Sequence, residues 1–239
     1  MKKQAGHPHD HDGRNDPWAA EREAMLAAIE ADFDRTAGQT GLDAMPAAVR
    51  AAVAAVPRHR FVPEDARPFA YENRPLPIGH GQTISQPYIV ALMTALLELQ
   101  PQDRVLEIGT GCGYQAAVLA QLAARVDSVE IVPELAAQAR ETLAALGIAG
   151  VAVHTGDGHR GWPAGAPYDK IIATAAAPSL PPAWLEQLAP GGRLVAPLGE
   201  RDGVQWLDVL HKRSNGSKGS IQRQTTIGVR FVPLTGGDG

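Results

Sequence analysis

Three glycines and three acids, each at a point where a strand is expected to end, hold the residue types best suited to chemistry. In "LEIGTGCGY", Gly109, Gly111 and Gly113 follow an apolar strand and open a helix, so the backbone can turn tightly and bring its amides to a ligand. Thr110 lies inside that turn. A dinucleotide fingerprint needs its third glycine at position 114, where Tyr114 stands, and this disfavours a nicotinamide dehydrogenase. Glu107 ends the preceding strand, where a carboxylate repels a pyrophosphate and welcomes a cationic ligand. Glu130 ends the next strand and is placed to accept hydrogen bonds from both ribose hydroxyls. Asp157, beside Gly158 in "TGDG", is placed to accept from an adenine amino group. Taken singly, each acid reads equally well as a solvated loop residue and the glycines as a packing requirement. Together, at the carboxyl ends of successive strands, they describe a ligand with an amino-acid end, a ribose, an adenine and a positive centre, which is S-adenosylmethionine.

The elements that must position these residues are legible from residue 104 onward. "RVLEI", "VDSVEI", "VAVH", "YDKIIAT" and "RLVAPL" read as strands, and "YQAAVLAQLAAR", "PELAAQARETLAALG" and "PPAWLEQ" as the helices between them. The alternation predicts an α/β fold with a mostly parallel sheet and helices on both faces. "VQWLDVLHKR" and "IQRQTTIGVRFVPL" predict an antiparallel hairpin at the end. Ahead of this core, a helix is expected after Asp16 and Pro17, burying Met25, Leu26, Ile29 and Phe33. A second begins near Pro46 with Val49, Val53 and Val56 inward. Residues 57–85 read as a long proline-rich connection, ordered by Phe61, Phe69, Tyr71, Leu76 and Ile78. The expected organisation is a disordered polar arm over 1–15, N-terminal helices and a substrate-binding loop over 16–99, and the ligand-binding core over 100–239, with a flexible tail from about 235.

Composition sets outer bounds. The chain has 239 residues, 44% of them hydrophobic, one cysteine and a formal charge of −4. That is enough for one substantial core, leaves no intramolecular disulfide framework, and offers neither a basic stripe for nucleic acid nor an apolar run long enough for a membrane. Cytoplasmic residence is expected. His7, His9 and His11 alternate in the polar arm and are assigned no role, so no metal is expected. Asn215-Gly216, in a turn region, is expected to deamidate readily.

"VLEIGTGCGYQAAVLA", "GQTISQPYIVALMTALLEL", "TGDG", "YDKIIATAAAP", "LAPGGRLVAPLG" and "VRFVPL", in this order from about Val56 to Leu234, resemble the bacterial protein-L-isoaspartate O-methyltransferases. The resemblance implies a Rossmann-like seven-stranded sheet with an antiparallel C-terminal strand and a helical N-terminal appendage. It also implies methyl transfer from S-adenosylmethionine to the carboxylate of isoaspartyl residues in proteins and peptides; a monomer is expected. Cofactor contacts then fall on Glu107, Gly109, Thr110, Gly111, Gly113, Glu130, Asp157, Gly158 and Thr174. The family's active-site serine corresponds to Ser85 in "QTISQPY", with Thr83 and Ile84 shaping the loop, while Ala175 and Arg230 join the substrate side. Each has a plainer reading: Ser85 as the N-cap of the helix opened by Pro87, Thr174 and Ala175 as compact strand-end residues, Arg230 as a solvated surface cation. Family members usually carry serine or threonine where this chain has Cys112, whose thiol reads either as small packing or as an oxidation-sensitive group at a helix N-terminus. Two alternatives stay open, a related methyltransferase acting on a dedicated peptide or another carboxylate, and a non-catalytic adenosylmethionine-binding adaptor.

Overall fold

The computed structural model describes residues 16–200, 202–214 and 220–237. The histidine-bearing arm and the Asn215-Gly216 pair lie outside them. Seven strands form one sheet: β3 (Arg104–Ile108), β4 (Arg125–Glu130), β5 (Val151–Thr155), β6 (Tyr168–Ala173), β7 (Leu188–Leu198), β8 (Gln205–Lys212) and β9 (Ile221–Val229). Their order is β5-β4-β3-β6-β7-β8-β9, with β3 to β7 mutually parallel and β8 antiparallel to both of its neighbours. The chain reverses its order across the sheet at β3, whose neighbours are β4 and β6. In open sheets that reversal opens the crevice where ligands bind.

Strand periodicity sorts the core onto two faces. Val105, Val126, Ile172 and Val195 point toward one cluster, shared with the N-terminal helices α1 (Ala19–Thr40), α2 (Ala47–Ala55) and α3 (Pro87–Leu97) and with α4 (Tyr114–Leu119). Leu135 and Leu143 of α5 (Pro133–Ala145) join the same cluster. Leu106, Ile171, Leu194 and Ala196 point the other way, against Trp184 of the short α6 (Pro182–Gln187). The N-terminal helices therefore share the core of the sheet. Met25, Leu26, Ile29 and Phe33 bury one face of α1, and Val49, Val53 and Val56 are buried as expected. No helix among the described residues is long and apolar enough to cross a membrane.

Three local differences from the sequence reading stand out. The helix expected over "YQAAVLAQLAAR" keeps only its first six residues as α4. Phe69 is exposed, although Phe61, Tyr71, Leu76 and Ile78 of the same connection are buried. That connection is also more regular than a loop, because β1 (Leu76–Gly79) and β2 (Gln82–Ile84) pair antiparallel around a turn at His80 and Gly81, both with positive φ. Its tip alternates buried and exposed residues over too few positions to register as a strand pattern.

Candidate active site

The glycine-rich loop leaves β3 and enters α4 with φ of +93° at Gly109, +54° at Gly111 and +90° at Gly113. At Gly109 a Cβ would also lie 2.5 Å from Thr174 Oγ1, so both conformation and space require glycine there. Thr174, just past β6, holds that approach by donating to the carbonyls of Ile108 at 3.0 Å and Gly109 at 2.5 Å. Above the loop opens a cleft with about 760 Å³ of empty space, open solvent at its mouth included. Its floor is Gly109, Thr110, Gly111, Glu130 and Gly158, and its roof is the β1–β2 hairpin through Gln82, Thr83, Ile84 and Ser85.

Glu130 is the one carboxylate lining this cleft among the described residues. It accepts from Gly111 N at 2.8 Å and Val132 N at 3.0 Å, tying the loop to the end of β4. Glu107 behaves otherwise. It is fully buried behind the loop and pairs across the sheet with Ser128, which donates to Oε2 and stands 2.5 Å from Thr110 Oγ1, while Oε1 has no partner among the described residues. Burial, reinforced by the charge of Glu130 and only partly offset by Ser128, pushes its carboxyl up to about 8. Burial thus favours the neutral form of Glu107, and the residue lies outside the cleft lining. Strand-end position alone does not separate an acid turned into the cleft from one turned into the core.

A second cavity adjoins the first, with about 1250 Å³ of open space between the hairpin and the C-terminal strands. Thr83, Ser85, Thr174 and Val232 line both. The Ser85 hydroxyl makes no hydrogen bond among the described residues, and it does not cap α3. That task falls to Asn73, whose Oδ1 accepts from Tyr88 N at 3.0 Å. The capping reading of Ser85 is thus replaced by a group 12 positions earlier, beyond the reach of a local sequence rule. Ile84 is buried and lines the cofactor-side cleft with Ala175, whereas Arg230 is exposed on the wall of the second cavity.

Gly113 and Asp157 lie outside both linings. Gly113 starts α4 against Ala139 and Leu143 of α5. Asp157 accepts from the backbone of His159 and from Gly237 N at 2.9 Å, so residues 235–237 of the tail rest beside it. Burial raises its carboxyl, but donation by Gly237 and His159 outweighs this and holds it below the ordinary value. Cys112 lines the cleft, and burial pushes its thiol up to about 11, against the oxidation-sensitive reading. Iodoacetamide at pH 7.5 is accordingly expected to leave Cys112 unmodified in the folded protein and to alkylate it once urea unfolds the chain, as mass spectrometry would show.

Two residues outside the sequence reading shape this region. Gln205 is buried and clamps Phe231 in both directions, accepting from its N–H at 2.6 Å and donating to its carbonyl at 3.2 Å. Ala176 continues the tether, donating to Val232 and accepting from Leu234. Gln205→Leu leaves both Phe231 groups unpaired and is expected to cost about 1–3 kcal/mol. It should also raise amide hydrogen exchange selectively over 230–234, whereas exchange spread evenly over β8 and β9 would contradict the clamp. The second residue, Arg58, is buried and donates through Nε to Ala70 O at 2.8 Å and through Nη2 to Ser85 O at 2.7 Å. Neither residue carries a sequence signal, since a polar side chain chosen to hold distant backbone looks like any surface glutamine or arginine.

Comparison with known proteins adds an independent finding. The family model described as Protein-L-isoaspartate(D-aspartate) O-methyltransferase (PCMT) matches residues 39–239. A curated protein-L-isoaspartate O-methyltransferase of Methanoculleus marisnigri is 52% identical over 221 residues, covering 92% of this chain and 94% of its own length. Protein-L-isoaspartate O-methyltransferase 2 of Syntrophobacter fumaroxidans is 50% identical over 223 residues, covering 93% and 89%. A solved structure named protein-L-isoaspartate O-methyltransferase superposes with a TM-score of 0.77 at 28% identity over 90% of this chain and 66% of its own. A Plasmodium falciparum structure described as a putative protein-L-isoaspartate O-methyltransferase in complex with S-adenosyl-L-homocysteine shares the fold, with a TM-score of 0.72 at 23% identity, covering 90% of this chain and 98% of its own.

Proposed function

The chain belongs to the protein-L-isoaspartate O-methyltransferase family, and from that premise we propose how its residues divide the work of methylating isoaspartyl carboxylates. The reaction esterifies the α-carboxylate of an L-isoaspartyl residue. The following backbone nitrogen then displaces the ester alkoxide to give a succinimide, which opens in water to aspartyl or isoaspartyl peptide, so repeated cycles restore normal linkages.

The observation that carries the assignment of roles is the meeting of two cavities at Thr83, Ser85, Thr174 and Val232. The cleft over the glycine-rich loop suits S-adenosylmethionine, because Gly109, Thr110, Gly111 and Gly158 line it with small residues and Glu130 stands in it at the end of β4. When bound, the cofactor supplies a methyl group on a sulfonium, whose neutral thioether needs no general acid to depart. Gly109, Thr110, Gly111, Glu130, Gly158 and Thr174 hold it. Asp157 accepts from an adenine amino group through the acceptor capacity left beside its bonds to Gly237 and His159.

The second cavity receives the peptide. An isoaspartyl carboxylate has a pKa of roughly 4 and is ionised near neutrality, so no general base is needed. What the chain must do is orient the carboxylate and exclude water, an arrangement worth roughly 7–11 kcal/mol when well aligned. The free Ser85 hydroxyl donates to one carboxylate oxygen and leaves the other to react. Thr83, Ile84 and Ala175 shape the approach, and Arg230 attracts the anion from the rim. A lysine or arginine in direct contact would stabilise the ground state instead. Residues 16–99 thereby bring the substrate-binding loop and 100–239 the cofactor-binding core, which adds Ala175 and Arg230 to the substrate side, in a monomer that resides in the cytoplasm and uses neither nucleic acid nor membrane.

The test is methyl transfer from labelled S-adenosylmethionine to two synthetic peptides that differ only in one isoaspartyl or aspartyl linkage. Base-labile ester is expected on the isoaspartyl peptide alone. Ser85→Ala should lower kcat/KM by roughly 10- to 100-fold, the loss expected for a hydrogen bond to a charged group. Equal labelling of both peptides would point to a different acceptor, and an unimpaired Ser85→Ala enzyme would remove Ser85 from the mechanism.

A further inference from the structure

Arg58 is a buried cation without a carboxylate. It is 0% exposed and forms no ion pair among the described residues. Its guanidinium carbon lies 4.8 Å from the centroid of the Tyr114 ring, which is flanked edge-on by Phe61. Nε and Nη2 reach the carbonyls of Ala70 and Ser85, 12 and 27 positions away, while Nη1 and the Tyr114 hydroxyl make no hydrogen bond among the described residues. Burying a charge this way is costly, and the two carbonyls it satisfies offset only part of that cost. Holding distant backbone in one orientation is a requirement that can keep it there.

The place of the contact indicates the requirement. Ser85 sits between β2 and α3 with its hydroxyl free and its side chain on the boundary of both cavities. Its own carbonyl is the atom that Arg58 holds. A guanidinium presents its donors in a rigid planar fork, so two carbonyls held at once fix the orientation of the Ser85 peptide in a way that a single rotating donor cannot. Arg58 lines neither cavity, so its charge reaches an anion near Ser85 through intervening groups and forms no direct pair.

We propose that Arg58 is a positioning residue for methyl transfer, fixing the Ser85 peptide so that its hydroxyl is aimed at the acceptor carboxylate and supplying positive potential without contacting that carboxylate. The proposal rests on the role of Ser85 argued above. It goes beyond it by naming the group that makes Ser85 effective.

Arg58→Lys keeps the charge and removes the fork. It is expected to lower kcat for the isoaspartyl peptide by roughly 10- to 100-fold, as for loss of a charge-assisted hydrogen bond. Affinity for S-adenosylhomocysteine, measured by calorimetry, should change by less than about twofold, because lysine keeps the charge beside Tyr114 and Gly109, Thr110, Gly111 and Glu130 are untouched. The decisive variant is Arg58→Lys/Ser85→Ala. If Arg58 acts through Ser85, the double variant is no slower than the slower single variant. Multiplying losses, or a wild-type kcat in Arg58→Lys with Ser85→Ala impaired, would overturn the proposal alone. Full activity in Ser85→Ala would instead overturn the Ser85 reading. Should the lysine variant fail to fold, Arg58→Gln, which keeps one amide donor and similar length, enters the same cycle. A merely structural role would lower cofactor affinity and kcat together.

Discussion

Gly109→Ala is expected to abolish measurable S-adenosylhomocysteine binding and to destabilise the protein by roughly 2–5 kcal/mol, combining left-handed strain with overpacking. Both costs arise at one carbon. The backbone there has φ +93°, and the new Cβ would lie 2.5 Å from Thr174 Oγ1, a hydroxyl already committed to the carbonyls of Ile108 and Gly109. Relief would require Thr174 to turn away and release the loop. Gly81→Ala is the matched control, since Gly81 also has positive φ, +70°, but a Cβ there would meet nothing within 4 Å. Its cost should be about 1 kcal/mol, with cofactor affinity retained. Adding Thr174→Ala to Gly109→Ala removes the clash while leaving the strain, and should recover part of the stability. Thermal unfolding and calorimetric binding test all of these. Wild-type affinity in Gly109→Ala would mean that the loop does not cradle the cofactor in this conformation.

Raising pH from 5 to 8 is expected to cost wild-type protein several kcal/mol through Glu107, and Glu107→Gln should remove most of that dependence. The folded carboxyl titrates at about 8 against an ordinary value of 4.5, because burial disfavours its charged form. Between those values the folded state binds the proton that the unfolded state has released, so stability falls as pH rises, by up to roughly 1.4 kcal/mol per pH unit. The relative stabilisation is fully present below the unfolded value and lost as pH passes the folded one. Glutamine mimics the neutral acid and can still accept from Ser128. Denaturant melts of both proteins from pH 5 to 8 decide the matter. Parallel curves would show that Glu107 is ionised when folded, and that the Ser128 and Thr110 contacts support a charge.

Fold and cofactor loop were largely readable from the chain because their signals are local. Val105 and Leu106 face opposite clusters simply because strand side chains alternate, and Met25, Leu26, Ile29 and Phe33 share a face because a helix repeats every 3.6 residues. The loop glycines are required by backbone sterics at their own positions, and Glu107 of β3, Glu130 of β4 and Asp157 after β5 are brought to one edge by parallel alternation. The state of each group was decided elsewhere. Glu107 and Glu130 occupy similar strand-end positions, yet one is sealed against Ser128 and the other lines the cleft. The Ser85 hydroxyl is left without a hydrogen bond among the described residues because Asn73, 12 positions earlier, caps α3. Gln205 becomes a clamp only when Phe231 returns beside it. Periodicity and motif spacing were therefore sufficient for the alternating elements, the glycine turn and the family. Which side chains are charged, free or engaged emerged only on folding, since desolvation and hydrogen bonding depend on neighbours supplied by distant parts of the chain.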